Sequence, residues 1–405
     1  MSSLLESLFD YIECGAPLCL QPTTGDPGGH DSHFVPENSP SNAAVISFLT
    51  GVLNEVPGNM PLATPFLGRV LADEEDPGPT RLLRAMTLGR GRFNLGVDAS
   101  FARFNRINGT STSGFSTVFV HGPPEPGESS ETDVISASST IALDMMRVNF
   151  GLGLGLTDFL DFGLTVPAVT TTLNASSEAA IVTIDPGRPH RFGGTPSIPV
   201  LGASREVRGT ATGMGDLAAR MRLSIGGGAH GVPAAGGPPR VTGALLAEVS
   251  LPTGAADDLL GAGEARARVI AAFTARSKVM SWHANLGYLA RAENPERDQA
   301  LVGVGADYRP QRGLSISGGL QGGWEFRGSG PAAPPPAIIP AGVNTEVSPI
   351  EINDPFRGYL NASLGFKARI GGMLDVVSDF LAPLPGSFGF RPSTVFTLGI
   401  QSAFR

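Results

Sequence analysis

The sequence predicts an all-β chain that forms a transmembrane antiparallel up-and-down β-barrel of about twelve strands, after an irregular, partly helical N-terminal segment. Three observations predict this class. Only 16% of the 405 residues are charged, whereas about 25% is usual in soluble domains. No stretch approaches the ~18 consecutive apolar residues of a transmembrane helix. From residue 91 onward apolar and polar residues alternate, as they do in strands that have one apolar and one polar face.

The alternation continues over most of residues 91–405. In one run, Trp282, Ala284 and Leu286 are separated by polar or small residues. Bacterial barrels use an even number of antiparallel strands. We count about twelve runs, at approximately 91–105, 134–156, 160–174, 212–226, 240–252, 264–277, 280–292, 299–309, 313–327, 357–370, 373–381 and 393–405.

Short links and long links alternate between successive runs. Short periplasmic turns and long outer loops give this pattern in outer-membrane barrels. The links at 227–239 and 293–298 are exceptions. Short turns are expected at 157–159, 277–279, 310–312 and 371–372, and longer links near 106–133, 175–211, 253–263, 328–356 and 382–392.

A soluble β-sandwich also alternates, and the composition of the polar face separates the two folds. In a sandwich this face meets water and carries many lysines and glutamates, but here it carries glycine, serine, asparagine and scattered arginine. Gly151, Gly153 and Gly155 alternate with leucines. Glycine weakens a soluble strand, whereas inside a closed barrel small residues leave room for a lumen and for close approach of backbones. The pattern therefore favours a barrel.

Charged residues on the polar face are candidates for the pore wall. One interpretation is a positively biased wall that favours anions or orients polar solutes. The other, which we favour for most of these residues, is a ladder of ion pairs with acids such as Asp98, Asp144 and Asp216. The candidates are Arg220, Arg222, Glu248, Arg266, Arg268, Arg276, His283, Arg291, Asp307, Glu325, Arg327, Lys367 and Arg369.

The N-terminal segment, residues 1–90, is predicted to lie at the periplasmic side or inside the lumen as a plug. It contains one predicted helix, at 42–56, which is too small to form a core of its own. Cys14 and Cys19 are expected to form a disulfide, which suits an oxidising compartment. Together with His30 and His33 they could instead ligate zinc. The disulfide needs no further assumption, so neither a metal nor a cofactor is expected.

The end of the chain and the net charge indicate the partners. The last run ends at Phe404, one residue before the terminus, which resembles the signal that the outer-membrane assembly machinery recognises. Trp282 and Tyr308 at one rim, with Trp324 and Phe326 at the other, suit the two aromatic girdles of a barrel in outer-membrane lipid. The net charge of −8 offers no electrostatic basis for binding nucleic acid.

Several short motifs resemble a family of outer-membrane transporter barrels associated with the meta-pathway of phenol degradation. They cover roughly residues 90–405. The resemblance implies a channel in the bacterial outer membrane for small molecules, with hydrophobic or aromatic ones as candidates. The motifs are the Gly-Met-Gly-Asp-Leu of 213–217, the Val-Ser-Leu-Pro-Thr-Gly of 249–254, the His-Ala-Asn-Leu-Gly-Tyr of 283–288, and the strand–turn–strand of 155–161 that leads to Val166-Pro167.

The expected function is passive transport of such solutes down their gradient, with the N-terminal segment limiting access. One alternative is a structural or adhesion barrel whose outer loops, at 175–211 and 328–356, bind partners. Another is an outer-membrane hydrolase. Its only strand histidine would be His283, and no Gly-x-Ser-x-Gly, phosphate loop or His-Glu-x-x-His is present. The chain is therefore not expected to be an enzyme.

Overall fold

The chain folds into a closed barrel of twelve antiparallel strands. A computed structural model describes residues 2–12, 34, 36, 38–59, 80–122, 133–182, 190–195, 197–225, 240–326, 331, 333–341, 343–352, 358–371, 374–385, 387 and 389–404. The strands are β1 (Phe93–Ile107), β2 (Val134–Gly155), β3 (Leu160–Val182), β4 (Gly202–Met214, continued as Leu217–Ile225), β5 (Arg240–Leu251), β6 (Arg266–Arg276), β7 (Met280–Arg291), β8 (Gln299–Tyr308), β9 (Leu314–Glu325), β10 (Gly358–Ile370), β11 (Leu374–Pro383) and β12 (Phe390–Phe404).

Strand pairing closes the membrane-spanning part of the barrel. Consecutive strands pair from β1 to β12. At the seam Phe93 of β1 is opposite Phe404 of β12 on one side and Leu154 of β2 on the other. Closure pairs the backbone groups of the strands within the membrane, which is the condition for crossing lipid with strands. The predicted fold class is thereby confirmed, with twelve strands in the barrel.

The two faces of the barrel follow the alternation of the sequence. Large apolar side chains such as Phe101, Phe150 and Leu286 lie exposed on the outside. Polar residues of the same strands, such as Asn94 and Ser100, are buried inside. An apolar outer band with a polar interior is the arrangement of outer-membrane barrels.

At the long-loop end the alternation is inverted. In the upper part of β3, Leu173 and Ile181 point inward and are buried, while Thr172 faces outward and bonds to Thr210 of β4 at 3.1 Å. The outside of this part therefore meets water, and its inside packs on apolar residues. The prediction that 175–211 is a loop was wrong: β3 runs to Val182 and β4 begins at Gly202. Inverted polarity concealed these strand ends.

The N-terminal residues form helices that lie inside the outer half of the barrel. These are α1 (Ser2–Glu6), α2 (Pro40–Asn54) and α3 (Val56–Asn59), with a 3₁₀ turn at Ser7–Ile12. The apolar side of α2 is buried and shares one hydrophobic cluster with inward residues of the strands. Examples are Phe48 of α2 and Phe104 of β1. No helix among the described residues is long and apolar enough to cross a bilayer.

The outer links are partly ordered against the barrel. Residues 337–347 of the predicted 328–356 link form a hairpin of Ala337–Ala341 and Val343–Val347. Ile350 makes a bridge to Thr117. Cys14, Cys19, His30, His33 and Arg327 lie outside the described residues, so the disulfide and the alternative zinc site stay predictions.

Candidate functional site

Residues 80–89 run along the inner wall of the barrel, and all of them are buried. Their backbone groups form hydrogen bonds with side chains of the wall at several levels along the barrel axis. The N–H of Leu83 donates to the amide oxygen of Asn285 at 2.9 Å, and the amide nitrogen of Asn285 donates to the Leu83 carbonyl at 3.1 Å. The N–H of Leu88 donates to the carboxylate of Asp161 at 2.9 Å. We call residues 80–89 the lumen segment.

The upper end of the lumen segment is fixed by charge. The guanidinium of Arg81 pairs with the carboxylate of Asp379 and donates to the hydroxyl of Thr397 at 2.9 Å. The hydroxyl of Thr80 donates to the same carboxylate at 2.8 Å. Arg81 and Asp379 are both nearly inaccessible to solvent, so each depends on the other for compensation of its charge.

Glycines of the inner wall make room for this segment. A Cβ added at Gly303 would lie 2.8 Å from Cδ2 of Leu82, and one added at Gly319 would lie 3.1 Å from its Cδ1. A Cβ at Gly365 would collide with Thr80. The sequence predicted glycines that leave space for a lumen and for close backbone approach. At these positions the space is taken by the lumen segment.

Above the lumen segment lies a cavity of about 200 Å³, which we call the chamber. Pro57 of α3 and Arg81 to Leu83 line it together with the barrel wall. Its described lining contains six arginines and two carboxylates, Asp216 and Glu248, which is an excess of four positive charges. Apolar side chains such as Leu289 and Leu301 complete the wall. The arginines are Arg81, Arg147, Arg220, Arg266, Arg268 and Arg391.

Many of the predicted pore residues are joined by ion pairs across neighbouring strands. Glu248 of β5 lies 3.7 Å from Arg220 of β4 and 2.6 Å from Arg268 of β6. Arg222 pairs with Asp161 of β3. The ladder continues with four further acids: Glu264 pairs with Arg266 and Arg291, Glu325 with Arg291 and Arg297, Asp307 with Arg309, and Asp375 with Arg369. The ring of His283 is hydrogen-bonded to Asp307.

The other described pore candidates lie on the same inner wall, but one acid that was predicted to pair with them does not. Arg276 and Lys367 are buried on the inner face. Asp144 was assigned to the inner ladder, and this was wrong. Asp144 lies on the outside and pairs with Arg103 at 2.7 Å, with 39% of the Asp144 side chain and 63% of the Arg103 side chain exposed. Outward charges are tolerated there because the outer half of β2 meets water rather than lipid.

Sequence reasoning missed three arginines of the chamber. Arg147 lies on β2 with the same parity as Gly151 and Gly153, so the alternation contained the signal. Arg391 precedes the predicted start of the last strand by two residues; its guanidinium lies 4.3 Å from the ring centroid of Tyr359. Arg81 belongs to an aperiodic segment, and nothing in its neighbourhood indicated that it enters the lumen.

His283 takes part in a chain of contacts that resembles a hydrolase triad. Its Nδ1 lies 3.1 Å from the hydroxyl of Thr274 and its Nε2 lies 2.6 Å from Asp307. The same hydroxyl accepts the N–H of Ala85 at 3.1 Å. Both Thr274 and His283 are buried beneath the lumen segment, and neither lines the chamber. These contacts bind the segment to the wall.

The link between β5 and β6, residues 252–265, folds inward over residues 215–216, where β4 is interrupted. Asp216, which lies in this interruption, accepts the N–H groups of Gly254 at 3.1 Å and Ala262 at 2.7 Å. Leu259 and Leu260 of the same link are buried in the hydrophobic cluster of the outer half. The link therefore narrows the lumen next to the chamber.

Two aromatic zones border the apolar outer band. Trp282 and Tyr308 are exposed near the short-turn end, and Trp324 is exposed near the long-loop end. Tyr288 and Phe326 lie together at that same level, with ring centroids 5.9 Å apart. Closure, an apolar band between aromatic zones and a polar interior place the barrel in the bacterial outer membrane.

No protein-family model matches the chain, and no curated protein matches it. Among solved structures, a COG4313 outer membrane channel from Pseudomonas putida F1 is 12% identical with a TM-score of 0.43, over 79% of this chain and 98% of the other. The Ralstonia pickettii toluene transporter TbuX is 11% identical with a TM-score of 0.34, over 78% and 90%. A Pseudomonas aeruginosa FadL homologue is 11% identical with a TM-score of 0.30, over 77% and 88%. The fold assignment rests on the strand pairing of this chain, and the resemblance to the phenol-pathway barrels stays a prediction.

Proposed function

We propose that the chain is an outer-membrane channel for passive movement of small organic molecules, and that the chamber is the site through which they pass. The observation that carries the proposal is the chamber itself, a cavity of about 200 Å³ in the middle of a closed barrel. Its wall combines aliphatic side chains with guanidinium groups. Such a mixture suits a solute that has an apolar body, including an aromatic one, and an anionic group.

Arg147 supports the preference for an anionic group. It lines the chamber, its side chain is buried, and its Nε has no hydrogen-bond partner within the described chain. A buried guanidinium is costly unless its charge and its donors are compensated. A carboxylate in the chamber would supply both, and the planar geometry of guanidinium matches a carboxylate well.

The lumen segment limits access to the chamber from the periplasmic side. Apart from the Arg81 pair, it is held by hydrogen bonds to side chains such as Asn285, Thr274 and Ser224 and by the packing of Leu82 and Leu83 on the wall. The hydrogen bonds contribute about 1 kcal/mol each. The segment can therefore leave the wall while the barrel stays folded, because the strands pair with one another and not with the segment.

Conductance in planar bilayers tests the proposal, with the full chain compared with a variant that lacks residues 1–85. We expect small, intermittent conductance from the full chain and larger, steady conductance from the deletion variant, with anions passing more readily than cations. The Arg147→Met variant should lower the anion preference. Arg103→Met, which removes an exposed arginine on the outer surface, is the matched control and should leave it unchanged. Absence of conductance from both the full chain and the deletion variant would contradict the proposal.

The adhesion alternative makes a different prediction. Deletion of the hairpin at 337–347 would abolish binding to cells and leave permeation unchanged. The observations on the described residues favour transport, because the charged groups that remain accessible inside the barrel converge on the chamber rather than on an outer loop.

A further inference from the structure

Three side chains with metal-binding donors meet at the outer mouth of the barrel. Nε2 of His121 lies 3.1 Å from Oδ1 of Asp133, and Nδ1 of His190 lies 2.7 Å from Oδ2 of the same carboxylate. One donor atom from each residue lies within 4.8 Å of the other two. The ring centroids of the two histidines are 4.8 Å apart. We call these three residues the outer histidine cluster.

Strand pairing and one backbone contact bring the cluster together. Val120, at the end of the strand Phe115–Val120, is opposite Val134, the first residue of β2. His121 follows Val120 and Asp133 precedes Val134, so the two residues face each other just beyond the paired strands. His190 arrives from the link between β3 and β4, and its backbone N–H donates to Oδ2 of Asp133 at 2.9 Å.

We propose that the outer histidine cluster binds a divalent transition-metal ion of the zinc class. Two imidazole nitrogens and one carboxylate oxygen are a donor set that Zn²⁺ accepts, with a fourth position left for water. At bond lengths of about 2.0 to 2.1 Å, tetrahedral ligands are ~3.4 Å apart. The donors of His121, Asp133 and His190 need only small side-chain rotations to reach that spacing.

The carboxylate of Asp133 is held in place by the side chains of His121 and His190 and by the backbone N–H of His190. All three side chains are shielded, with 8% of His121 and about 2% to 3% of Asp133 and His190 exposed. The site is thus partly formed before an ion arrives, and His121 is its most accessible member.

The bound ion would secure the N-terminal helices at the outer mouth. Phe34 packs on both imidazoles, with centroid distances of 4.2 Å to His121 and 5.6 Å to His190. Asn42 of α2 donates to the carbonyls of Phe34 at 2.8 Å and Val120 at 3.0 Å. An ion at the cluster would fix the two imidazoles on which Phe34 packs, next to Val120, whose carbonyl accepts a hydrogen bond from Asn42 of α2. Its expected effect is slower local unfolding of α2.

Zinc binding by the full chain in detergent micelles, without an affinity tag, tests the proposal. After dialysis against ZnCl₂ we expect one zinc ion per chain, not displaced by Mg²⁺ because imidazoles suit zinc rather than magnesium. His121→Ala and His190→Ala should each weaken binding by at least about 10-fold, the lower bound for loss of even an outer-shell partner. His230→Ala, which changes a histidine in the link between β4 and β5, is the matched control and should retain the ion.

Hydrogen exchange of residues 40–54 with and without zinc tests the effect on α2. Zinc should slow exchange in the wild type and in His230→Ala but not in His190→Ala. This readout does not depend on transport, so it stays decisive if the channel proposal fails. Heat-modified migration in gels would establish that each variant forms a barrel.

Two results would overturn the proposal. One is a folded wild-type chain that takes up no stoichiometric zinc, which would leave a hydrogen-bonded His–Asp–His cluster only. The other is one zinc ion per chain in both histidine variants, which would place the ion elsewhere, for example at Cys14 and Cys19.

Discussion

Replacement of Arg81 by leucine is expected to loosen the lumen segment selectively. The Arg81–Asp379 pair is buried, and removal of one partner of a buried pair costs about 3 to 5 kcal/mol because the other charge stays uncompensated. This corresponds to an increase of ~150-fold to ~4,500-fold in the population of the detached segment. Hydrogen exchange at the amides of Leu83, Ala85 and Leu88, each bonded to a wall side chain, measures that population.

The double variant Arg81→Leu/Asp379→Leu is the control. Because it removes both charges, it should restore most of the protection, since apolar substitution of a whole buried pair is often close to neutral. Amides in the centre of β12 should exchange equally slowly in all variants, because the barrel does not depend on the segment. Unchanged exchange of the three amides in the single variant would refute the reasoning, and so would a double variant as labile as the single one.

Three further predictions concern the lumen segment, α2 and the two cysteines. Gly303→Val should displace the lumen segment and raise conductance, because its Cβ would lie 2.8 Å from a leucine of the segment. Gly318→Val should behave as wild type, because Gly318 is exposed on the outer face and its added Cβ would make only an ordinary contact, 3.8 Å from the backbone oxygen of Ser363. Burial raises the pKa of Glu55 above its ordinary value of 4.5 despite the adjacent Arg297. The protease resistance of α2 should therefore fall as pH rises above about 4.5, and Glu55→Gln should flatten this dependence. Cys14 and Cys19 should resist alkylation in denatured chain until reductant is added; alkylation without reductant would exclude the disulfide.

The strands could be predicted from the sequence because lipid enforces a strict rule on their outer face. Within the membrane most outward side chains are apolar, so the period of two is visible without knowledge of partners. The rule ends where the strands leave the bilayer. Thr172 and Asp144 point outward into water there, and Leu173 points inward, so the polarity of the alternation changes while the strand continues. The boundaries of β3 and β4 were missed for this reason.

The sites were less predictable than the fold because they combine residues from distant parts of the chain. The inward arginines of β4 and β6 were recognisable from alternation alone, and so was their pairing with Glu248. The lumen segment has no period, and its position depends on which wall glycines have space. The outer histidine cluster joins His121, Asp133 and His190 from two separate links, and only strand pairing and the folding of the second link bring them together.

The helix α2 and the lumen segment differ in the contacts for which a solute can compete. Five apolar side chains of α2 are buried in the outer half; at about 1.5 to 3 kcal/mol each, their burial contributes on the order of 10 kcal/mol. The lumen segment also buries apolar side chains, those of Leu82, Leu83, Met86 and Leu88, and adds to them the Arg81–Asp379 ion pair and hydrogen bonds of about 1 kcal/mol each. A solute that enters the chamber and attracts Arg81 competes directly with Asp379 for that guanidinium. We therefore expect residues 80–89 to be the part of the N-terminal segment whose detachment an anionic solute promotes.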